Sequence, residues 1–302
     1  MLSPNPLETD RLLLNPLSIS DAPFVQELVN TPGWLRFIGE RNVHTAEDAL
    51  AYVQKLIGNQ SIHYKVVSLK DSGVPIGVIT FIQRDYLDHP DIGFAFLPAY
   101  NKHGYAFEAS KAVLLEIAKN SSWIRIMATT VPENTSSILL LEKLRLVFEG
   151  ALSRDGIVLH TYSAPLDSYQ LTLLTNLFFS IFTNSKGKQP DWELIHRICL
   201  PETHIIKKAG TLHEVYTLSS FITPRKKILS DGSLTDFEEK EIGEETKIIG
   251  SIAQRYSRYQ KSGTLNGNAF LEYGHKLFQF VKTSEGWKIT SLIWEDDKKV
   301  TG

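Results

Sequence analysis

Residues 91–119 read DIGFAFLPAY, NKHGYA and FEASKAVLLEIAK. The first piece has the length and apolar composition of a β-strand. The last carries Ala106, Ala109, Val113 and Ile117 at three- and four-residue spacing, the pattern of a helix with one apolar face. Between them stands Gly104, beside the small Ala106, where backbone can approach a ligand closely. A strand feeding a helix through such a corner aims unpaired N–H groups and the positive end of the helix dipole at one point. An anion binds there, most often a phosphate. An ordinary bend would use the same residues, so the surrounding elements must decide.

Composition bounds the choice. A chain of 302 residues suggests two domains. Its 42% hydrophobic and 22% charged residues are those of an ordinary globular protein. A formal charge of −2 offers no basic surface for nucleic acid. Cys199 is the sole cysteine, which excludes an internal disulfide and a cysteine-rich metal site. No metal is expected. The opening MLSPNPLETD is unlike a signal peptide, and no apolar run reaches the roughly 18 residues of a membrane span. The expectation is a soluble cytoplasmic protein with neither nucleic acid nor membrane as partner.

The elements around the corner follow in order. Glu8-Thr9-Asp10-Arg11-Leu12-Leu13-Leu14 leads into a short strand. Residues 18–21 cap a helix through Val29. Thr45 and Asp48 cap another through about Ile57, expected to bury Ala49, Leu50, Val53 and Leu56. Trp34 and Phe37 read as core contacts. Residues 63–69 and 76–83 form two strands around the hairpin signal Asp71-Ser72-Gly73. After the corner come a strand at 124–131, a helix through about Leu144 with Asn134 and Thr135 as its cap, and closing strands at 147–150 and 157–165. Arg154-Asp155-Gly156 turns between the last two.

The corner, Asn101-Lys102-His103-Gly104-Tyr105-Ala106, resembles the acyl-CoA pyrophosphate loop of the GNAT superfamily of N-acetyltransferases. That loop runs Arg/Gln-x-x-Gly-x-Gly/Ala; Gly104 and Ala106 match, and Asn101 replaces Arg or Gln. The run from Gly104 to Ala109 is similar to the Gly-Tyr-Ala-x-Glu-Ala of the ribosomal-protein-alanine acetyltransferase branch. So are E-T-x-R-L-x-L at the start and the P-I-G-V-I-T-F around Gly77. The resemblance covers about residues 7–166. It implies acetyl-CoA as co-substrate and direct attack by a primary amine, from a protein N-terminus or a small molecule. It places the pyrophosphate on Asn101 to Ala106, and the pantetheine arm along the backbone of Phe96 and Leu97 and at the Asn134 side chain. Ser137 would offer its hydroxyl to the CoA sulfur, where a donor eases departure of the thiolate. A carboxylate or histidine must take the ammonium proton. Asp91 sits where the family often has Glu; Asp155, His89 and His103 are the alternatives. One departure is Glu142-Lys143-Leu144-Arg145-Leu146, which lacks the glycine of E-K-x-G-F. That helix end is expected to shift.

The second half has its own pattern. Leu171, Leu174, Phe178, Phe179 and Phe182 recur at helical spacing, so residues 169–183 form a helix with an aromatic face. Asp191 caps another at 192–198, residues 203–209 suggest a short strand, and 221–226 a helix or turn. Alternation over 246–260, 268–282 and 287–294 predicts a three-strand antiparallel meander. The charge run at 238–245 reads as a solvated edge. Two helices before a long antiparallel sheet, and the ending Gly286-Trp287-Lys288-Ile289, resemble the nuclear-transport-factor-2-like and ketosteroid-isomerase-like cone. That implies an apolar pocket near Tyr216, Tyr256, Glu272, His275 and Trp294, or, as preferred, a sheet face that pairs two protomers into a homodimer. The expected class is α+β, with an acetyltransferase-type mixed sheet in 1–168 and a cone with a curved antiparallel sheet in 169–302. Two rivals stand beside acetyl transfer. One is a CoA-binding module fused to an isomerase or hydrolase; the other is a non-enzymatic dimerising ligand-binding protein.

Overall fold

The computed structural model describes residues 5–120 and 123–297. The chain forms two compact units, residues 1–169 and 170–302, each with its own sheet. It is a two-sheet α+β protein.

In the first unit the short strands β1 (Leu7–Glu8) and β2 (Leu12–Pro16) precede helices α1 (Ala22–Val29), α2 (Pro32–Phe37) and α3 (Ala46–Ile57). Strands β3 (Ile62–Leu69), β4 (Pro75–Ile82) and β5 (Asp91–Phe96) lead to helix α4 (Tyr105–Asn120). Strand β6 (Arg125–Thr130), helix α5 (Thr135–Lys143) and strands β7 (Val147–Arg154) and β8 (Ile157–Pro165) complete it. The sheet runs β1-β2-β3-β4-β5-β6-β8-β7, and only β5–β6 is parallel. The helical crossover through α4 makes that pairing possible.

Local chemistry explains the elements. Thr45 and Asp48 form a reciprocal capping box at α3. Ala49, Val53 and Leu56 of that helix are buried, but Leu50 is exposed, one step off the apolar stripe. Trp34 is in the core beside Val25 and Leu28, and Phe37 is half-buried. Asp155 and Gly156 both take positive φ, the two-residue turn that matches strand twist, and so β7 extends to Arg154. The helix end that lacks the family's glycine still closes in a left-handed turn. Arg145 itself adopts φ +68, and the Leu146 N–H donates to the Leu141 carbonyl at 2.9 Å over two buried leucines.

The second unit is built from helices α6 (Leu166–Ser180, which begins in the first unit), α7 (Leu194–Ile198) and α8 (Leu218–Ser230) against a six-stranded sheet. Strands β9 (Cys199–Ala209) and β10 (Leu212–Tyr216) precede α8. After it come β11 (Leu234–Ile249), β12 (Ile252–Leu265), β13 (Asn268–Thr283) and β14 (Gly286–Asp296). The order is β10-β9-β14-β13-β12-β11, with β9 parallel to β14. Bulges in β11 and β14 let these long strands bend around Phe178, Phe179 and Phe221.

Several expectations need correction. The run 246–260 is two strands, because Gly250, at φ +58, turns the chain between Ile249 and Ile252. The meander is therefore part of a larger sheet. The charge run is not simply a solvated edge. On edge strand β11, Glu241 grips buried Arg255 at 2.5 Å, and Glu239 pairs with buried Lys276. Of the five residues expected near a pocket, Glu272 and Trp294 line a cavity and Tyr216 stacks on Trp294. Tyr256 and His275 bond each other on the opposite face of the sheet.

Candidate active site

Strands β5 and β6 pair only at Asp91 and Met127 among the described residues. There the Met127 N–H donates to the Pro90 carbonyl at 2.8 Å. Beyond that point the strands part. On the other side β5 stays fully paired with β4 through Phe96, and the Leu97 N–H donates to the Ile76 carbonyl at 2.9 Å. Hydrogen-bonding direction alternates along a strand. With Leu97 turned to β4, the N–H and C=O of Phe94 and Phe96 face the gap towards β6. Gly77 keeps this region close-packed: a Cβ there would lie 2.6 Å from Cγ of Phe96 and 2.7 Å from the Ala95 carbonyl.

The gap leads to the glycine corner. Residues 101–104 are exposed, and α4 starts directly at Tyr105. Lys102 and Gly104 take φ +64 and +83, which turns the chain sharply into the helix. The first bond of the helix runs from the Glu108 N–H to the Gly104 carbonyl at 3.1 Å. The N–H groups of Tyr105, Ala106 and Phe107 precede that bond and are free to meet an anion.

The corner is held by residues far away in sequence. Glu108, in the first turn of α4, accepts from the Thr9 hydroxyl at 2.6 Å, the Arg11 N–H at 3.1 Å and Arg11 Nε at 2.7 Å. Arg11 Nη1 also donates to the His103 carbonyl at 3.1 Å, and its guanidinium lies 4.5 Å from the Tyr105 ring centroid. His103 stacks on Tyr105, and its Nδ1–H donates to the Asn101 carbonyl at 2.8 Å. A Cβ at Gly104 would come within 3.5 Å of Arg11. The Thr9 and Arg11 phrase at the start of the chain thus braces the loop, a role that spacing alone did not show. Glu108 is partly buried, which raises its pKa, but the Thr9 and Arg11 bonds outweigh burial and lower it.

The other candidates are also placed. Asn134 is the N-cap of α5: its Oδ1 accepts the Ser137 N–H at 3.2 Å. The cap uses the carbonyl and leaves the amide NH2 to donate elsewhere. Ser137 is half-buried one turn into the helix. Asp91, at the head of the gap, is buried. Its Oδ1 accepts from Arg84 Nη2 at 3.3 Å, and its Oδ2 from the Thr129 hydroxyl at 3.1 Å. Burial pushes its pKa up further than Arg84 and Thr129 pull it down. Asp155 is an exposed hairpin-turn residue beside Arg154, and His89 packs edge-on against Trp123. Among the described residues no group of three or more His, Cys, Asp or Glu could hold a metal ion, and no helix is long and apolar enough to cross a membrane.

A parted parallel strand pair, with an amide-lined corner at the start of the helix between the two strands, can take an extended ligand that ends in an anion. Residues 11–147 match the acetyltransferase (GNAT) domain family. An uncharacterized N-acetyltransferase of Bacillus subtilis, YnaD, is 34% identical over 144 residues, covering 48% of this chain and 84% of that protein. Among solved structures, a GNAT-family acetyltransferase from Bacillus anthracis shares 27% identity over 54% of this chain and 99% of its own, with a TM-score of 0.47. An uncharacterized protein from Bacillus halodurans shares the fold at a TM-score of 0.50 and 11% identity, over 56% and 94% of the two chains. The chain belongs to the GNAT acetyltransferase family and is an acetyltransferase.

The clamp gives a pH prediction. A carboxylate whose pKa is lowered on folding stabilises above its unfolded value, near 4.5, and loses that contribution as pH falls through the folded one. Arg11 is about half exposed, so the effect is screened. Glu108→Gln should lower stability to urea at pH 7 by about 1 kcal/mol or less, and the gap should close in acid. A gap that does not change with pH would contradict the clamp.

Proposed function

We propose that the first unit transfers the acetyl group of acetyl-CoA to a primary amine, a protein N-terminus or a small-molecule amine, by direct attack. The observation that carries this is the parting of β5 and β6 beside the free amides of the glycine corner. Acetyl-CoA supplies a thioester carbon open to a nitrogen nucleophile. Phe96 and Leu97 stand where a pantetheine arm can add to the strand edge, with Phe96 offering its backbone. Asn101, Lys102, His103, Gly104, Tyr105 and Ala106 wrap the pyrophosphate, with the α4 dipole adding to the attraction. Asn134 donates its NH2 to the arm. Ser137 gives a hydroxyl hydrogen bond to the departing sulfur. Asp91 takes the ammonium proton, and its burial makes it a stronger base than an exposed aspartate.

We further propose that the second unit is a nuclear-transport-factor-2-like cone that pairs two chains. The helices ahead of the sheet and the ending Gly286-Trp287-Lys288-Ile289 on β14 support the fold. An exposed apolar row supports the pairing. Val215, Ile206, Ile293, Leu277 and Tyr256 lie side by side across five strands. Val215, Leu277 and Ile293 are 56%, 51% and 42% exposed. A row of this kind meets its own copy across a two-fold axis without a mismatch.

Gly104→Glu puts bulk and negative charge among the loop amides. Calorimetry should show CoA binding lost; unchanged affinity would remove the loop from the account. Ser137→Ala should lower kcat by about tenfold at unchanged KM. Asp91→Asn should lower kcat about a hundredfold and flatten the acid limb of the pH–rate profile. If Asp91→Asn alters only thermal stability, Asp91 is an anchor of the strand junction and not the base. Leu277→Arg should turn a dimer into a monomer in sedimentation; a parent chain already monomeric would refute the pairing.

A further inference from the structure

The second unit holds a cavity of about 560 Å³, open at one end, between α6, α8 and the inner face of its sheet. Phe178, Phe182, Phe221, Phe237 and Trp294 form much of its wall. A volume of this size suits a small organic ligand. The charges that reach it are Arg225, Lys261, Lys276, Glu239 and Glu272.

The two lysines are already matched. Lys276 pairs with Glu239, and its Nζ sits 3.6 Å from the Tyr259 ring centroid. Lys261 meets Asp296 at 2.5 Å and Glu272 at 3.3 Å, and the Tyr259 hydroxyl donates to the same Asp296 at 2.5 Å. Arg225 differs. Its guanidinium lies 3.7 Å from the Phe221 ring centroid and 5.6 Å from that of Trp294. Its one hydrogen bond among the described residues runs from Nη1 to the Phe221 carbonyl, at 2.7 Å. No carboxylate of those residues lies within ion-pair distance of it.

A guanidinium carries five N–H donors in a planar fork that fits a carboxylate. Stacked on aromatic faces, its edge is left for a partner. Arg225 is half-buried, and Glu239, Asp296 and Glu214 act on it only from beyond ion-pair distance, so an anion placed at its edge would offset the cost of burial more directly. Arg225 is the one cation of the lining with no carboxylate within ion-pair distance among the described residues. Glu239, Glu272 and Asp296 already equal the three cations in number, so the site suits a single negative charge and not a phosphate dianion. A ligand amine seated on Arg225 would meet its positive charge directly and is disfavoured there. The aromatic wall suits a flat apolar body.

We propose that the second unit binds a small organic monocarboxylate with an aromatic body of one or two rings. Its carboxylate pairs with Arg225, and its ring packs among Phe178, Phe182, Phe221 and Trp294. This site is separate from the acetyl-transfer reading and does not depend on it.

The test is calorimetry on the full chain with phenylacetate and 2-naphthoate, against 2-phenylethanol and 2-phenylethylamine. The acids should bind one per chain with Kd of about 10 µM to 1 mM, as their few heavy atoms allow. The alcohol and amine should bind at least about tenfold more weakly. Arg225→Gln should weaken the acids by about tenfold to a hundredfold. Ala269→Trp, at an exposed position of the lining, should also block binding while leaving the core untouched. Saturating CoA should change none of this. The proposal is overturned by no acid binding up to about 10 mM, by equal binding of the uncharged analogue or the amine, or by acid binding that survives Arg225→Gln.

Discussion

The first unit turns on a pairing that stops. After Asp91 and Met127, β5 and β6 part, while β5 remains fully bonded to β4. Unsatisfied strand backbone is costly unless water or a ligand meets it. Here the open groups of Phe94 and Phe96 face a gap that leads to the amides of the α4 corner. Asp91 sits at the junction itself, tied to Arg84 and Thr129 across it. The same geometry that fixes where the strands separate therefore fixes the carboxylate proposed as the base.

The corner itself is set by distant residues. Gly104 takes φ +83, a conformation that L side chains rarely adopt, and Arg11 packs against it. Arg11 and Thr9 then bind Glu108, and Arg11 also reaches the His103 carbonyl. One short segment near the start of the chain thus holds both the helix and the loop that precedes it. The positive guanidinium lies next to the amides that would receive a phosphate, so bracing and attraction act in the same direction.

Much of this was legible in the residues. Gly104, Ala106 and the apolar spacing of α4 mark the corner without any coordinates. The cap of α5 was legible in Asn134, whose carbonyl makes that bond. The Arg11–Glu108 clamp was not, because the partners are far apart in sequence and each looks like an ordinary surface charge. The break at Gly250 was hidden because Ile249 and Ile252 continue the apolar pattern across the turn. In the second unit, two of the five residues expected at a pocket were read onto the wrong face of their strands. Tyr256 and His275 lie outside, while Tyr259, Lys276 and the charged β11 residues point in and pair there. Buried charges that satisfy one another resemble solvent-facing ones until the register is known.

The central claim concerns backbone, so backbone is where to measure. Amide hydrogen exchange with and without CoA reads the N–H groups directly. The account predicts that CoA slows exchange at Phe94, at Phe96 and through residues 102–107, with little change in β4. Protection confined to other segments, or none at all, would contradict it.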